Sequence, residues 1–266
     1  MPKLTVTVIT RNEAANIEAA LASAAWADEI VVVDSNSTDD TVTIARQHGA
    51  RVEARAFPGY GAQKNYAASI ASHDWILSLD ADERIGPDLA ADIRQLLARE
   101  PEKRGYRIPR VTWYLGRWIR TTDWYPDYQL RLYDRRAGEW SAPRVHESVR
   151  LKEGEPGRLA HEIQHFAYGN ISDHLATIDR YTTLAAQQAA ADGRRAPTLG
   201  LLLHPAFAFL RNYVLRRGFM DGSAGLIVSI LNSYYVFLKL AKLWEAGSRE
   251  PDGVSVNARS STVDPR

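Results

Sequence analysis

With 266 residues and 33 basic against 32 acidic side chains, the chain is long enough to bury a sizeable core, and its formal net charge of +1 gives no global field to draw it to nucleic acid. There is no cysteine, which removes disulfides, thiolate metal sites and cysteine nucleophiles from consideration. The opening MPKLTVTVITRNE enters a strand pattern directly, without the apolar core and small-residue cleavage site of a signal peptide, so a cytoplasmic catalytic part is expected.

Leu4 to Thr10 alternates β-branched and apolar residues and ends at Arg11, Asn12 and Glu13. Ile17, Ala20, Leu21 and Ala24 then recur at helical spacing, so strand gives way to helix. Ile30 to Val33 is an apolar run closed by Asp34, and after Ser35 to Thr38 the carboxylate of Asp39 can cap a helix through Arg46 that Gly49 stops. Arg51 to Phe57 reads as a third strand, Gly61 to Ser72 as a helix, and Asp74 to Asp80 as a fourth strand. This alternation predicts a mostly parallel sheet with right-handed crossovers, flanked by helices. No glycine follows the first strand closely, so the dinucleotide G-x-G-x-x-G fingerprint is absent, as is a P-loop.

Ligands of open α/β sheets bind outside the carboxyl ends of the strands. Two strand ends here carry carboxylates. Asp34 can accept hydrogen bonds from a nucleoside base or ribose, or it can cap the following turn. The stretch DWILSLDADER ends the fourth strand in Asp80, Asp82 and Glu83. Asp80 and Asp82 are two apart and can reach one hard cation such as Mg²⁺ or Mn²⁺, whose donors are oxygens shared with substrate phosphates. The plainer alternative is a solvated loop before the helix that Pro87 and Asp88 open.

TRNEAANIEAAL, VVVDSNSTDDT, GYGAQKNYA and LDADERI, taken in that order, resemble the successive motifs of family 2 glycosyltransferases with the GT-A fold, and among them the lipopolysaccharide-core β-1,4-glucosyltransferase group. The likeness covers roughly the first 170 residues. It implies that Thr10, Arg11, Asn12, Glu13 and Asp34 hold the nucleotide of a sugar donor, that Asp80 and Asp82 carry a divalent metal on the diphosphate, and that Lys64 lies near the donor. A solvated position on a helix surface is the alternative for Lys64.

Between Lys103 and Arg144 stand ten Lys or Arg against four Asp or Glu, interleaved with aromatics such as Trp113, Trp118 and Trp124. No RNA-binding signature accompanies them, and a phosphorylated or anionic sugar acceptor fits guanidinium groups and ring faces better. Within this patch Asp127 stands directly ahead of the alternating strand Gln129 to Tyr133, and similar D-x-Q-x-R-L segments of related transferases border the donor diphosphate, which brings in Arg131. Arg144-Val145-His146-Glu147 and His165 to Tyr168 resemble further steps of the family. Inverting transfer needs one general base within reach of the acceptor hydroxyl, and Asp127 is the first candidate, Glu147 the second. His146 and His165 are read as structural.

Beyond residue 170 the pattern turns helical, with Ser172 expected to cap a helix through Ala191. Gly222 to Leu238 is an uncharged run of seventeen residues, at the lower edge of spanning length and interrupted by serines and an asparagine. Ile227, Leu231, Tyr234, Leu238 and Ala241 share one face, which predicts a helix lying in a membrane interface, with packing on the protein's own core as the alternative. The expected organisation is a GT-A catalytic domain over 1–170, a membrane-associating helical extension over 171–246, and a disordered tail over 247–266. The expected activity is inverting transfer of glucose from a nucleotide-diphosphate donor, UDP-glucose, to a lipid-linked saccharide of the lipopolysaccharide core, by an enzyme peripheral to the inner face of the cytoplasmic membrane. Transfer to a polyprenyl phosphate and a non-catalytic sugar-nucleotide binder at the membrane are the two alternatives.

Overall fold

In the computed structural model, which describes residues 2–141 and 147–248, the β-branched run Leu4–Thr10 forms β1, buried along nearly its whole length. Val6 and Val8 on one face and Thr5 and Thr7 on the other are all buried, as suits a central strand covered from both sides. α1 (Ile17–Ala24), β2 (Glu29–Asp34), α2 (Thr41–Gln47), β3 (Arg51–Ala54), α3 (Tyr60–Ile70) and β4 (Trp75–Asp80) follow. β1 pairs in parallel with β2 on one side and β4 on the other, and β2 pairs in parallel with β3. The four strand–helix alternations read from the sequence are therefore present, with boundaries within a few residues.

A short β5 (Glu83–Ile85) leads into α4 (Pro87–Ala98), which starts with proline in its first turn and buries Leu89, Ile93 and Leu97 on one face. The long β6 (Gly105–Tyr114) is followed by β7 (Arg117–Ile119), β8 (Asp127–Asp134) and β9 (Gly138–Trp140). β10 (Val149–Leu151), β11 (Gly157–Arg158) and β12 (Ile163–His165) complete the strands. The main sheet runs β3-β2-β1-β4-β8-β6-β12-β5, and its mixed half begins where β8 inserts antiparallel between β4 and β6. The result is a mixed α/β fold with a mostly parallel sheet, helices on its faces and a helical C-terminal part. Its main core joins β1, β2 and β4 to α1 and α4.

The chain divides into two compact units. Among the described residues, the first comprises 2–112 and 126–166; the second comprises Trp113–Tyr125 and 167–248. In the second unit α5 (Ile171–Ala191) is capped by Asn170, whose side-chain oxygen accepts from Asp173 N at 2.9 Å. The cap is Asn170 rather than Ser172, because the helix begins one residue before that serine. α6 (Gly200–Leu210) continues into a π turn over Arg211–Leu215, and after a 3₁₀ turn the 27-residue α7 (Gly222–Ser248) packs against α5 and α6. α7 is long and apolar enough to cross a membrane by length and composition. Most of the tail expected over 247–266, and the segment holding Arg144 and His146, lie outside the described residues.

Candidate active site

Parallel pairing aligns the strand ends that carry the candidate residues. Thr10 lies beside Asp34, and Ile9 beside Asp80, so the two aspartates end the strands on either side of β1, their backbones two strand spacings or about 10 Å apart. The loops after β1 and β2 are laced together. Asn12 takes a left-handed conformation, its N–H donates to Ser37 Oγ at 2.8 Å, and its Oδ1 accepts from Thr38 N at 2.8 Å. Asparagine tolerates that region better than most side chains. Glu13 N donates to Thr41 Oγ1 at 2.8 Å. Asp34 is buried and accepts from both the N–H and the hydroxyl of Ser37, so it does hold the turn after β2, with lone pairs left for a ligand.

β8 supplies the opposite wall. Alternation along β8 puts Asp127 and Gln129 on one face; at the register shift Arg131 has no β6 partner, and the antiparallel pairing with β4 brings it to Asp80. Arg131 Nη2 donates to Asp80 Oδ2 at 2.6 Å and to Glu83 Oε1 at 2.9 Å. Lys64 is only 4% exposed; its Nζ lies 3.0 Å from Asp80 Oδ1 and 3.2 Å from Glu147 Oε1, 4.5 Å from the centre of the Trp140 ring. The solvated-surface alternative for Lys64 is thereby excluded. Burial pushes the Asp80 carboxyl up, but Arg131 and then Lys64 outweigh it and hold it well below the usual carboxylate range. The Arg131 guanidinium is raised in turn: burial works against it, and Asp80 and Glu83 overcome that.

Arg110 extends the array. It stands opposite Asp127 in the β6–β8 register, and its Nη2 and Nε donate to Asp127 Oδ2 at 2.7 and 3.0 Å, while Nη1 reaches Glu83 Oε1 at 3.2 Å. Gln129 Nε2 donates to the other Asp127 oxygen at 2.6 Å. Glu147, Lys64, Asp80, Arg131, Glu83, Arg110 and Asp127 thus form one line of alternating charge. Sequence reasoning did not assign Arg110, Glu83, Gln129 or Trp140. Glu83 stood in the acidic turn and Arg110 in the basic patch, but only strand pairing places them in contact.

Asp82 faces a different partner. Its Oδ2 lies 3.3 Å from His165 Nε2, and β12 is held there because Phe166 N donates to Asp82 O at 2.9 Å. Glu13 belongs to the same acidic neighbourhood: burial raises its carboxyl, its hydrogen bond from Asn16 opposes this, and Asp82, Asp39 and Asp80 raise it further. A divalent ion that keeps substrate phosphates and water in its shell needs only one or two protein donors. Asp82 fits that requirement together with His165, whose place 3.3 Å from Asp82 offers a role beyond the structural one read from the sequence, with Asp80 two residues away. Among the described residues no group of three or more such side chains forms an all-protein cage, and both Asp80 oxygens already meet cations.

Several buried polar atoms of these elements have no partner among the described residues: Thr10 Oγ1, Arg11 Nε, Gln63 Oε1, and Arg131 Nε and Nη1. Such atoms are uncommon in folded proteins and call for an explanation. Thr10 and Arg11 stand at the end of β1, Gln63 on α3 and Arg131 within β8, and three of the five atoms are cationic N–H donors suited to an oxyanion.

Residues 5–149 match the model of "Glycosyl transferase family 2". An uncharacterised glycosyltransferase of Rickettsia felis is 30% identical over 92% of this chain and 91% of its own. The lipopolysaccharide core biosynthesis glycosyltransferase LpsC of Rhizobium meliloti is 29% identical over 92% of this chain and 94% of its own. Among solved structures, S. aureus TarS 1-349 aligns over 91% of this chain and 89% of its own with a TM-score of 0.46 and 16% identity. Glucosyl-3-phosphoglycerate synthase from Mycobacterium tuberculosis, in complex with Mn²⁺, UDP-glucose and phosphoglyceric acid, aligns over 42% and 44% with a TM-score of 0.35 and 25% identity.

Proposed function

The chain belongs to glycosyl transferase family 2, and from that premise we propose that it transfers a hexose, glucose, from a nucleotide-diphosphate donor to a lipid-linked saccharide of the lipopolysaccharide core, with inversion. Similarity to LpsC over nearly the whole of both chains supports the acceptor class. The observation that carries the donor reading is the set of unpartnered donors on Arg131 and Arg11 beside the strand-end carboxylates. A diphosphate supplies the acceptor oxygens these groups lack, and the adjoining Asp34 supplies hydrogen-bond acceptors for the nucleoside.

In this reading Asp82 and His165, with Asp80 nearby, would hold a Mg²⁺ or Mn²⁺ ion, which would supply positive charge to the leaving diphosphate. Lys64 and Arg131 keep Asp80 ionised and add positive charge to the same place. Asp127 accepts the proton of the acceptor hydroxyl as its oxygen bonds to the anomeric carbon, and the bond from that carbon to the diphosphate oxygen breaks. Arg110 and Gln129 fix the orientation of the Asp127 carboxylate, which at 30% exposure stays reachable. Glu147, tied through one oxygen to Lys64, is the second candidate for the same role. The enzyme works at the inner face of the cytoplasmic membrane, where such an acceptor is assembled.

The test is transfer of label from UDP-[¹⁴C]glucose to truncated lipopolysaccharide and, in parallel, to polyprenyl phosphate, with divalent metal. Label in the lipopolysaccharide is expected. Label only in the polyprenyl product would replace this acceptor, and tight UDP-glucose binding without any turnover or hydrolysis would replace the enzymatic reading by a binding protein.

A further inference from the structure

We propose that the stretch from Leu199 to Met220 in the second unit is a docking surface for an anionic lipid bilayer. The inference deepens the lipid-linked acceptor reading and names the part of the chain that meets the lipid. Leu199, Leu203, Phe207, Leu210 and Val214 recur every three or four residues, on one face of α6 and its π extension. All five are exposed. Their neighbours Leu202 and Leu215 are 70% and 65% exposed, and Met220 is 60% exposed. A soluble surface carries isolated apolar side chains, whereas a contiguous array of this kind marks a contact site.

Charge decides which contact. From Gly193 to Met220 the chain has five arginines, at 194, 195, 211, 216 and 217, and no aspartate or glutamate. Arg211 and Arg216 meet Asp123, while Arg194, Arg195 and Arg217 are exposed and make no ion pair among the described residues. An apolar face bordered by uncompensated arginines matches the boundary between anionic headgroups and acyl chains.

The face expected from the sequence on α7 has a different fate. Leu231 is buried, and Ile227, Leu238 and Ala241 are partly covered, because α7 packs along α5 and α6, while Tyr234 stays exposed, as do Leu226, Ile230, Phe237 and Trp244 on the rest of the helix. α7 also does not suit a crossing despite its length. Lys242 Nζ is bonded to Asp179 Oδ1 at 2.7 Å, and α5 beside it carries Asp173, Asp179 and Arg180, which a spanning α7 would draw toward hydrocarbon. The bilayer contact is assigned to α6 and the turns after it because that stretch carries Arg217 and follows Arg194 and Arg195, which make no ion pair among the described residues.

The full-length chain, without donor or acceptor, should be tested for flotation with vesicles of phosphatidylcholine alone and of phosphatidylcholine with phosphatidylglycerol. Binding is expected to the anionic vesicles and to weaken with salt. Each arginine near such a surface is worth about 1 kcal/mol, a five-fold change, so Arg194→Gln with Arg195→Gln should weaken binding roughly 25-fold. Leu202→Glu with Leu215→Glu should abolish it, while circular dichroism and UDP binding stay unchanged. Undiminished binding of the leucine variant overturns the proposal. So does resistance to extraction by high salt and carbonate, which means a span, or self-association without vesicles that the same variant removes, which means a second copy covers the face. Vesicle binding by a chain that transfers no sugar refutes the transferase reading alone. Transfer to a detergent-solubilised acceptor by a chain that ignores vesicles refutes the docking surface alone.

Discussion

Asp80 and Asp82 are two residues apart and do different things. Asp80 is clamped by Lys64 and Arg131, whereas Asp82 meets a histidine whose ring nitrogen can share a metal. Asp82→Ala should therefore remove the metal-dependent part of UDP affinity, a loss of tenfold or more measured by calorimetry with and without Mn²⁺. Equal metal dependence in the variant would move the ion elsewhere. For the base, Asp127→Asn retains the shape and one acceptor for Arg110 but cannot take a proton. Turnover should fall roughly 10²–10⁴-fold with donor affinity close to wild type, and Glu147→Gln should be much milder. The reverse pattern in steady-state kinetics would transfer the role to Glu147, and no collapse in either variant would favour a phosphate acceptor that needs no base.

Among the elements, α5 and α7 offer two measurements of how the second unit is held. His174 on α5 is buried, stacks on Tyr168 with ring centres 4.3 Å apart, and has Nδ1 3.1 Å from Tyr114 Oη. Burial lowers its pKa from 6.5 to about 4. As pH falls through 6.5 the unfolded chain takes the proton first, so stability is lost between about pH 6.5 and pH 4, by roughly 3 kcal/mol in all. Thermal melts across that range should show the decline, and His174→Phe should flatten it whatever its effect at neutral pH. On α7, a Cβ at Gly225 would stand 1.9 Å from Gly218 O and 3.0 Å from Asp221 Cβ, backbone and packed neighbours with no room to yield. Gly225→Ala should cost about 3 kcal/mol or more in urea unfolding, whereas Gly247→Ala, with nothing within 4 Å, should be neutral to slightly stabilising.

For the whole molecule the informative experiment is linkage. If the strand-end site of the first unit binds a nucleotide diphosphate with metal, UDP and Mn²⁺ at a hundredfold over Kd add about 2.7 kcal/mol to the folded state, a rise in Tm of roughly 5–10 °C. UMP, which lacks the second phosphate that the Arg131 donors await, should raise it much less. An equal shift with UMP would mean that the nucleoside and not the diphosphate occupies the site. A near-neutral chain with a local run of arginines likewise behaves differently from one whose charges are evenly mixed, and vesicle affinity should follow salt although the net charge is only +1.

Local signals were enough for the strands and helices of the first unit, because an uninterrupted apolar run ending in Asp34 or Asp80, followed by helical spacing, has one low-energy solution. The order of motifs was likewise enough for the family, and the apolar runs for placing Asp34 and Asp80 at the ends of the strands that flank β1. What a linear reading could not reach was every contact that depends on pairing across the sheet. Arg110 meets Asp127 because β6 and β8 run antiparallel with a register shift at Tyr106/Arg107 that sets the two opposite, and Arg131 meets Asp80 because β8 enters beside β4. Lys64 looked like any helix-surface lysine until α3 packed it under Trp140 between two carboxylates. The same holds for the exposed apolar face: α6 and α7 both carry enough leucine to be either core or surface, and which one is covered is decided by what packs on it. Periodicity names a face; only the neighbours determine whether that face sees protein or solvent.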